Sequence, residues 1–429
     1  MTTPAPPETL RVQNFAGMKD VTLELSRMNV LIGPSASGKS VCAKLLFFFK
    51  GIFPHVILNG FASETNDQLL AKDLALFLKY FPPKDWGTQP FTIKYTIADY
   101  QVTVTGNKKA TQPAEVSYSA SYANLLNASR SLAQALREQD IESGKIRTVG
   151  VSTFLNTLVE TAPASAVTAL LRPVYYIASG RAFFSLFRNV MFSLDPETFD
   201  PFLWEVGRAF QAVEVYHRRA KGWRSYGDPV DAYIQEILSG RYFVDDTGEY
   251  IVHDDGRRVA LRNTSSGQQE AMPLVLSIAE LTHGRGKSPI CLFAEEPEAH
   301  LYPTAQRDVV HLMAAVTDLF KGEGSSQYVL TTHSPYILSA LNNLMYGGKI
   351  VKETPDKKDK VTAVLPEAVL VDPANVRAYM MEDGKATSII RKDTGLIVAS
   401  EIDGVSDDIG REFNALLDVE FEDEDKAAA

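Results

Sequence analysis

The eight residues GPSASGKS, Gly33 to Ser40, constrain this chain more than any other feature. They follow MNVLIG, an apolar run ending in glycine, and precede VCAKLLFFF, whose dense apolar face reads as a helix. Strand, glycine-bearing loop, helix is the context a phosphate-binding loop requires. It commits the chain to an α/β fold with that loop at a strand's carboxyl end. Gly33 and Gly38 let the intervening Pro34, Ser35, Ala36 and Ser37 turn backbone N–H groups inward around anionic oxygens. Lys39 can reach β- and γ-phosphates, and the Ser40 hydroxyl suits Mg²⁺, so ATP with Mg²⁺ is the expected ligand.

A second segment, ICLFAEEPEAHLYP from Ile290, runs apolar residues straight into Glu295 and Glu296. Uncompensated carboxylates at the end of a buried strand cost several kcal/mol each, roughly, so positive charge should wait there. In P-loop ATPases a strand beside the phosphate loop delivers an acid toward magnesium, which assigns Glu295 to the metal with Ser40. Glu296, one residue on, points differently and is the expected acceptor of a proton from the attacking water.

The remaining chain sorts into blocks. Residues 1–104 read as strands around the phosphate loop, and 105–240 as an inserted, mainly helical lobe interrupted by the strand VYYI at Val174. Helices are expected over Tyr118 to Gln139, Val151 to Leu171, Arg181 to Met191, Phe202 to Arg219 and Pro229 to Leu238. Over 241–417 short strands give way to alternating strands and helices, which implies parallel pairing. Residues 418–429 form an acidic tail, expected to be disordered.

Taken in order, strand–GPSASGKS–helix, SSGQQE, LFAEEPEAHLYP and VLTTHSP resemble the ABC-type ATPases, in the soluble branch of RecF-like, SMC-like and OLD-like proteins. The resemblance implies a mixed sheet with antiparallel N-terminal strands. It also implies that Ser266, Gly267 and Gln268 form a signature loop binding the γ-phosphate held by another subunit, and that His333 is a switch histidine. Ala299 and His300 would then lie where the chain crosses a dimer interface. Read from the residues, SSGQQ ahead of a helix offers hydroxyls, a glycine backbone and a positive helix end, an anion site without its anion. Three departures stand out: Ser35-Ala36 replaces the usual Asn-Gly; Glu295 replaces the usual Asp, one methylene longer, so turnover should be slow; and no glutamine placed to coordinate Mg²⁺ is found between the phosphate loop and the signature. Arg181, in YIASGR, falls where related ATPases carry a Q-loop-like element.

The segments VYYIASGR, EEPEAHLYP and TGLIVASEIDGVSDDIGREFNALL are further similar to stand-alone ATPases of bacterial anti-phage systems of the PARIS, Septu and retron-associated kinds. That implies a homo-oligomer gated by ATP that controls a separate effector encoded nearby. OLD-family relatives carry a nuclease after the ATPase, but the sequence beyond Leu370 is short for one. The alternative is a RecF-like ATPase clamping DNA. Against it stands a net charge of −10, which does not suit a surface built to neutralise phosphate backbones. The cation-rich YHRRAKGWRSYG, Tyr216 to Gly227, has the composition of a nucleic-acid contact but reads more simply as a helix end. Cys42 and Cys291 have no partner at ligand spacing, the N-terminus lacks a secretory pattern and no apolar run spans a bilayer. A cytoplasmic protein without membrane contact is expected.

Overall fold

The computed structural model describes residues 7–54, 64–142, 169–182, 200–220, 224–281, 289–317 and 326–398. An eleven-stranded sheet organises them, in the order β6-β5-β4-β1-β2-β14-β13-β3-β12-β11-β7. One wing is antiparallel. In β1 (Glu8–Phe15) and β2 (Met18–Glu24), Leu10, Val12, Val21 and Leu23 alternate inward, and the hairpin turns at Ala16-Gly17, both at positive φ. Strand β4 (Phe91–Ile97) pairs with β1, β5 (Tyr100–Gly106) with β4, and β6 (Ala114–Tyr118) with β5.

The other wing is parallel, and its strands are mostly apolar because both its faces are covered. Here β3 (Met28–Ile32), β12 (Gln327–Thr332), β11 (Cys291–Glu295) and β7 (Val174–Ile177) run in register side by side. Helix α1 (Lys39–Ile52) packs on β11 and β7 through Phe47, whose ring meets Tyr176 at 5.3 Å and Phe293 at 5.9 Å. Helices α2 (Asn66–Tyr80), α3 (Ala120–Glu142), α4 (Pro201–Ala220) and α5 (Val230–Leu238) follow, then a small sheet of β8 (Arg241–Asp245), β9 (Gly248–Val252) and β10 (Arg258–Ala260). Helices α6 (Ser266–Ala279), α7 (Pro303–Thr317), α8 (Pro335–Glu353) and α9 (Lys358–Thr362) complete the described helices.

The α/β class and the mixed sheet with antiparallel N-terminal strands agree with the sequence reading. Three placements sharpen it. Strand β7, expected within the helical insertion, is an edge strand of the main sheet, and β12 intervenes between the phosphate-loop strand and β11, which the sequence reading had set side by side. The hairpin of β13 (Val376–Glu382) and β14 (Lys385–Ser388), unread from sequence, lies directly beside β3. Its turn, Asp383-Gly384 with φ of 52° and 75°, is the Asp-Gly pair that tight hairpins favour. The expectations over Val151 to Leu171 and Arg181 to Met191 fall mostly outside the described residues, and the acidic tail wholly so.

Candidate functional site

The loop after β3 has a backbone that its glycines make possible. Gly33 sits at φ 153°, and a Cβ there would stand 2.2 Å from the Met381 carbonyl oxygen, so β13 leaves room for glycine alone. Gly38, at φ 98°, begins α1 with no side-chain cap and no acid in the first turn. The helix therefore keeps its positive end free of any local anion. Ala36 also takes a left-handed φ of 59°, the strain expected where Ser35-Ala36 stands in for a glycine-bearing pair.

Lys39 is buried and folded back over its own loop: Nζ donates to the carbonyls of Gly33 (2.8 Å) and Pro34 (2.7 Å) and to Ser37 Oγ (3.4 Å). Burial lowers its pKa, while Glu296 and Glu298 act to raise it. Lysine and acidic edge thus share one electrostatic environment. The parallel order explains why, since the carboxyl ends of β3, β12, β11 and β7 converge at one rim of the sheet.

At that rim Glu295 is buried, accepting from the Tyr176 hydroxyl at 2.8 Å and the Ser179 N–H at 3.2 Å. Those donors help offset the cost of burying its charge. Glu296 has a left-handed φ of 43°, its N–H donates to Thr331 O at 2.9 Å, and its Oε1 lies 3.6 Å from His333 Nε2. Both side chains are a little over one-third exposed. The positive charge the acids call for is supplied partly by Arg181, which is fully buried. Burial lowers the pKa of its guanidinium, opposed by Glu270, Glu298, Glu295 and Glu296.

Two residues at this rim escaped the sequence reading. Glu298 Oε1 accepts from the Thr332 hydroxyl (2.8 Å) and the His333 N–H (2.7 Å), while its Oε2 is buried without a hydrogen-bond partner among the described residues. Thr331 Oγ1, in register with Glu295, is likewise buried and unpartnered. The run EEPE was the available signal for Glu298; nothing local marks Thr331.

Ser266–Gln268, expected as a loop ahead of a helix, instead form the first turn of α6. Ser265 caps α6 by accepting from Gln268 N (3.3 Å), and the Gln268 side chain answers by accepting from Ser265 N (3.1 Å) and donating to Leu238 O (2.7 Å). Gln268, expected at a γ-phosphate, is therefore committed to a capping box in the single chain. Gly267 lies against the segment of Ala299 and His300: a Cβ there would be 2.6 Å from His300 O. No hydrogen bond joins Ser265–Gln268 to residues 33–40 among the described residues.

In the run Tyr216 to Gly227, Arg218 and Arg219 stay exposed in the last turn of α4, while two other members turn inward. His217 and Tyr226 are buried, joined at 3.0 Å, and Tyr226 OH donates to Glu280 at 3.2 Å. Arg224 pairs with Glu280 at 2.7 Å. The simpler, structural reading of this run fits.

Among the described residues no helix is long and apolar enough to cross a membrane, and Cys42 and Cys291 are buried free thiols. No trio of His, Cys, Asp or Glu is arranged there to hold a metal. The oxygen donors of Ser40 and Glu295, and the unpartnered atoms Thr331 Oγ1 and Glu298 Oε2, are of the hard type Mg²⁺ takes.

Comparison with known proteins matches residues 213–338 to the AAA ATPase domain, a span holding Ser266–Gln268, Glu295, Glu296, Glu298 and His333. No curated protein matches the chain. Among solved structures, the SMC head domain from Thermotoga maritima is similar at 10% identity, covering 90% of this chain and 98% of that one with a TM-score of 0.39. The SmcHead bound to the C-winged helix domain of ScpA is similar at 12% identity, with 90% and 97% covered and a TM-score of 0.37. The recombination mediator protein RecF is similar at 11% identity, with 90% and 99% covered and a TM-score of 0.33.

Proposed function

We propose that the chain is an ABC-type ATPase that holds ATP between the Gly33–Ser40 loop and the Glu295–Glu298 rim. The observation that carries this is Lys39, buried yet within the field of Glu296 and Glu298, three strands' ends from segments far apart in sequence having converged on it. On binding, the Lys39 ammonium exchanges the Gly33 and Pro34 carbonyls for phosphate oxygens, and loop N–H groups with the uncapped end of α1 hold the rest. Glu296, a little over one-third exposed and 3.6 Å from His333, accepts the proton of the attacking water, and His333 is assigned to the γ-phosphate on the sequence resemblance. Ser40 and Glu295 would hold Mg²⁺, which neutralises phosphate charge. Glu295 is already bonded to Tyr176 and Ser179, and its extra methylene supports slow turnover.

Closure then comes from a second copy presenting Ser266, Gly267 and Gln268. ATP would thus gate assembly, and the gated assembly would control a separate effector in anti-phage defence, a reading supported by the sequence resemblance. The DNA-clamping alternative predicts salt-sensitive duplex binding, whereas the net charge of −10 favours a protein partner.

Phosphate release and nucleotide binding by the purified chain test the core claim. Lys39→Ala should weaken ATP binding by about 100-fold or more, since a charge-assisted contact to phosphate is lost. Unchanged affinity would remove the loop from the site. Co-purification with the neighbouring gene's product, with and without ATP, separates effector control from DNA clamping.

A further inference from the structure

Arg181 joins segments that the ATPase reading treats separately. Its Nε donates to Glu270 O at 3.0 Å and lies 3.4 Å from Glu270 Oε2, while its own backbone N–H donates to that carboxylate at 3.0 Å. Nη1 donates to Ala178 O (3.1 Å) and Glu295 O (2.6 Å), and Nη2 to Glu296 O (3.1 Å). One fully buried guanidinium therefore ties the end of β7, the end of β11 and the first turns of α6, the helix that carries Ser266–Gln268.

Only a planar fork with several fixed donors can serve three segments at once; an ammonium of the same charge lacks that geometry. Four bonds of the guanidinium fall on carbonyls and its ion pair on the Glu270 carboxylate, so it fixes backbone as well as bringing positive charge to the rim. Glu296 shows why this matters. Its left-handed φ of 43° is unfavourable for a residue with a side chain, and it is pinned at its N–H by Thr331 O and at its carbonyl by Arg181 together with the Ala299 N–H at 3.0 Å. Release of either pin lets the backbone relax and re-aims the carboxylate.

We infer that Arg181 is a positioning residue that locks the backbone of Glu296 to the helix of the serine-glycine loop, so that base and loop keep a fixed relation. This rests on the proposed ATPase reading for its consequence in catalysis, but not for the coupling itself.

Arg181→Lys keeps the charge and removes the fork. Because a buried substitution can impair folding, Glu270→Gln provides a second variant that leaves Arg181 in place and removes only its carboxylate partner. Hydrogen exchange on the nucleotide-free full chain reads the coupling directly. Amides of residues 296–300 and 266–270 should lose protection together in both variants, while Leu292 to Ala294 stay protected. Loosening confined to one of the two segments, or to neither, overturns the inference. In those samples the bound-nucleotide stoichiometry counts folded sites. The expected result is KM near the wild-type value with kcat per bound nucleotide lowered about 10- to 100-fold in Arg181→Lys, the range a misplaced catalytic group produces. A rate per occupied site equal to wild type overturns the positioning role. A wild-type chain that binds no ATP would instead overturn the ATPase reading, and the exchange data would still decide the coupling.

Discussion

Two helix N-termini near the rim of the sheet meet opposite fates. Helix α1 begins at Gly38 with no side-chain cap, no acid in its first turn and a lysine drawn over the loop; α6 begins at Ser265 with a reciprocal capping box and Gln268 tied to Leu238 O. By composition both look like anion sites. Only the first is left open in the single chain. The difference teaches that α1 is ready for phosphate as folded, whereas α6 can offer Ser266 and Gly267 but must release Gln268 from its cap before that side chain reaches a ligand.

The comparison breaks most sharply at Gly33. Gly33→Ala sets a methyl against the Met381 carbonyl and should displace the loop, costing about 100-fold or more in ATP affinity and a few kcal/mol of stability. Equilibrium binding and denaturant unfolding read both effects.

At the far end of α6, burial and the nearby Arg224 hold the His217 pKa down to about 4, within a cluster of Tyr226, Tyr242 and the Arg224–Glu280 pair. The unfolded chain takes up this proton near its ordinary value of about 6.5, and the folded chain only near 4. Its contribution is therefore intact above about pH 6.5 and is lost as pH falls toward 4, on the order of 3 kcal/mol. Subtracting the pH–stability curve of His217→Gln from that of the wild type should isolate this slope; parallel curves would contradict it.

Ser265→Ala removes the cap of α6 and should cost about 1 kcal/mol in stability. If α6 serves only in a closed assembly, ATP affinity of the isolated chain should move far less than stability does. Smallest is Ala36→Gly, which relieves a left-handed alanine and should stabilise the loop by up to about 1 kcal/mol, visible as a modest gain in affinity.

Short-range chemistry made the phosphate loop and the Glu295-Glu296 edge legible, because each joins a fixed residue pattern to a change of hydrophobic period; the helix after SSGQQ was legible too, but it starts earlier than read, at Ser266. What the sequence hid depends on order across the sheet. Nothing in QYVLTT states that it will lie between MNVLI and CLFAE, and nothing in VRAYMME announces a parallel partner for β3. The Asp383-Gly384 hairpin signal was present in the sequence. The placements of Arg181, Thr331 and Glu298 are tertiary facts: a guanidinium on distant carbonyls, and two buried oxygens, Thr331 Oγ1 and Glu298 Oε2, without a hydrogen-bond partner among the described residues. The cationic run at Tyr216 shows the converse, since composition alone could not reveal that His217 and Tyr226 face inward.

The account stands on Lys39 and Glu296 serving one bound nucleotide. Binding and single-turnover hydrolysis of Mg-ATP by Glu296→Gln measure this most directly. Affinity should stay close to that of the wild type while the hydrolytic rate falls about 100- to 1,000-fold, as for loss of a general base. Hydrolysis at the wild-type rate, or loss of ATP binding in a folded variant, would contradict it.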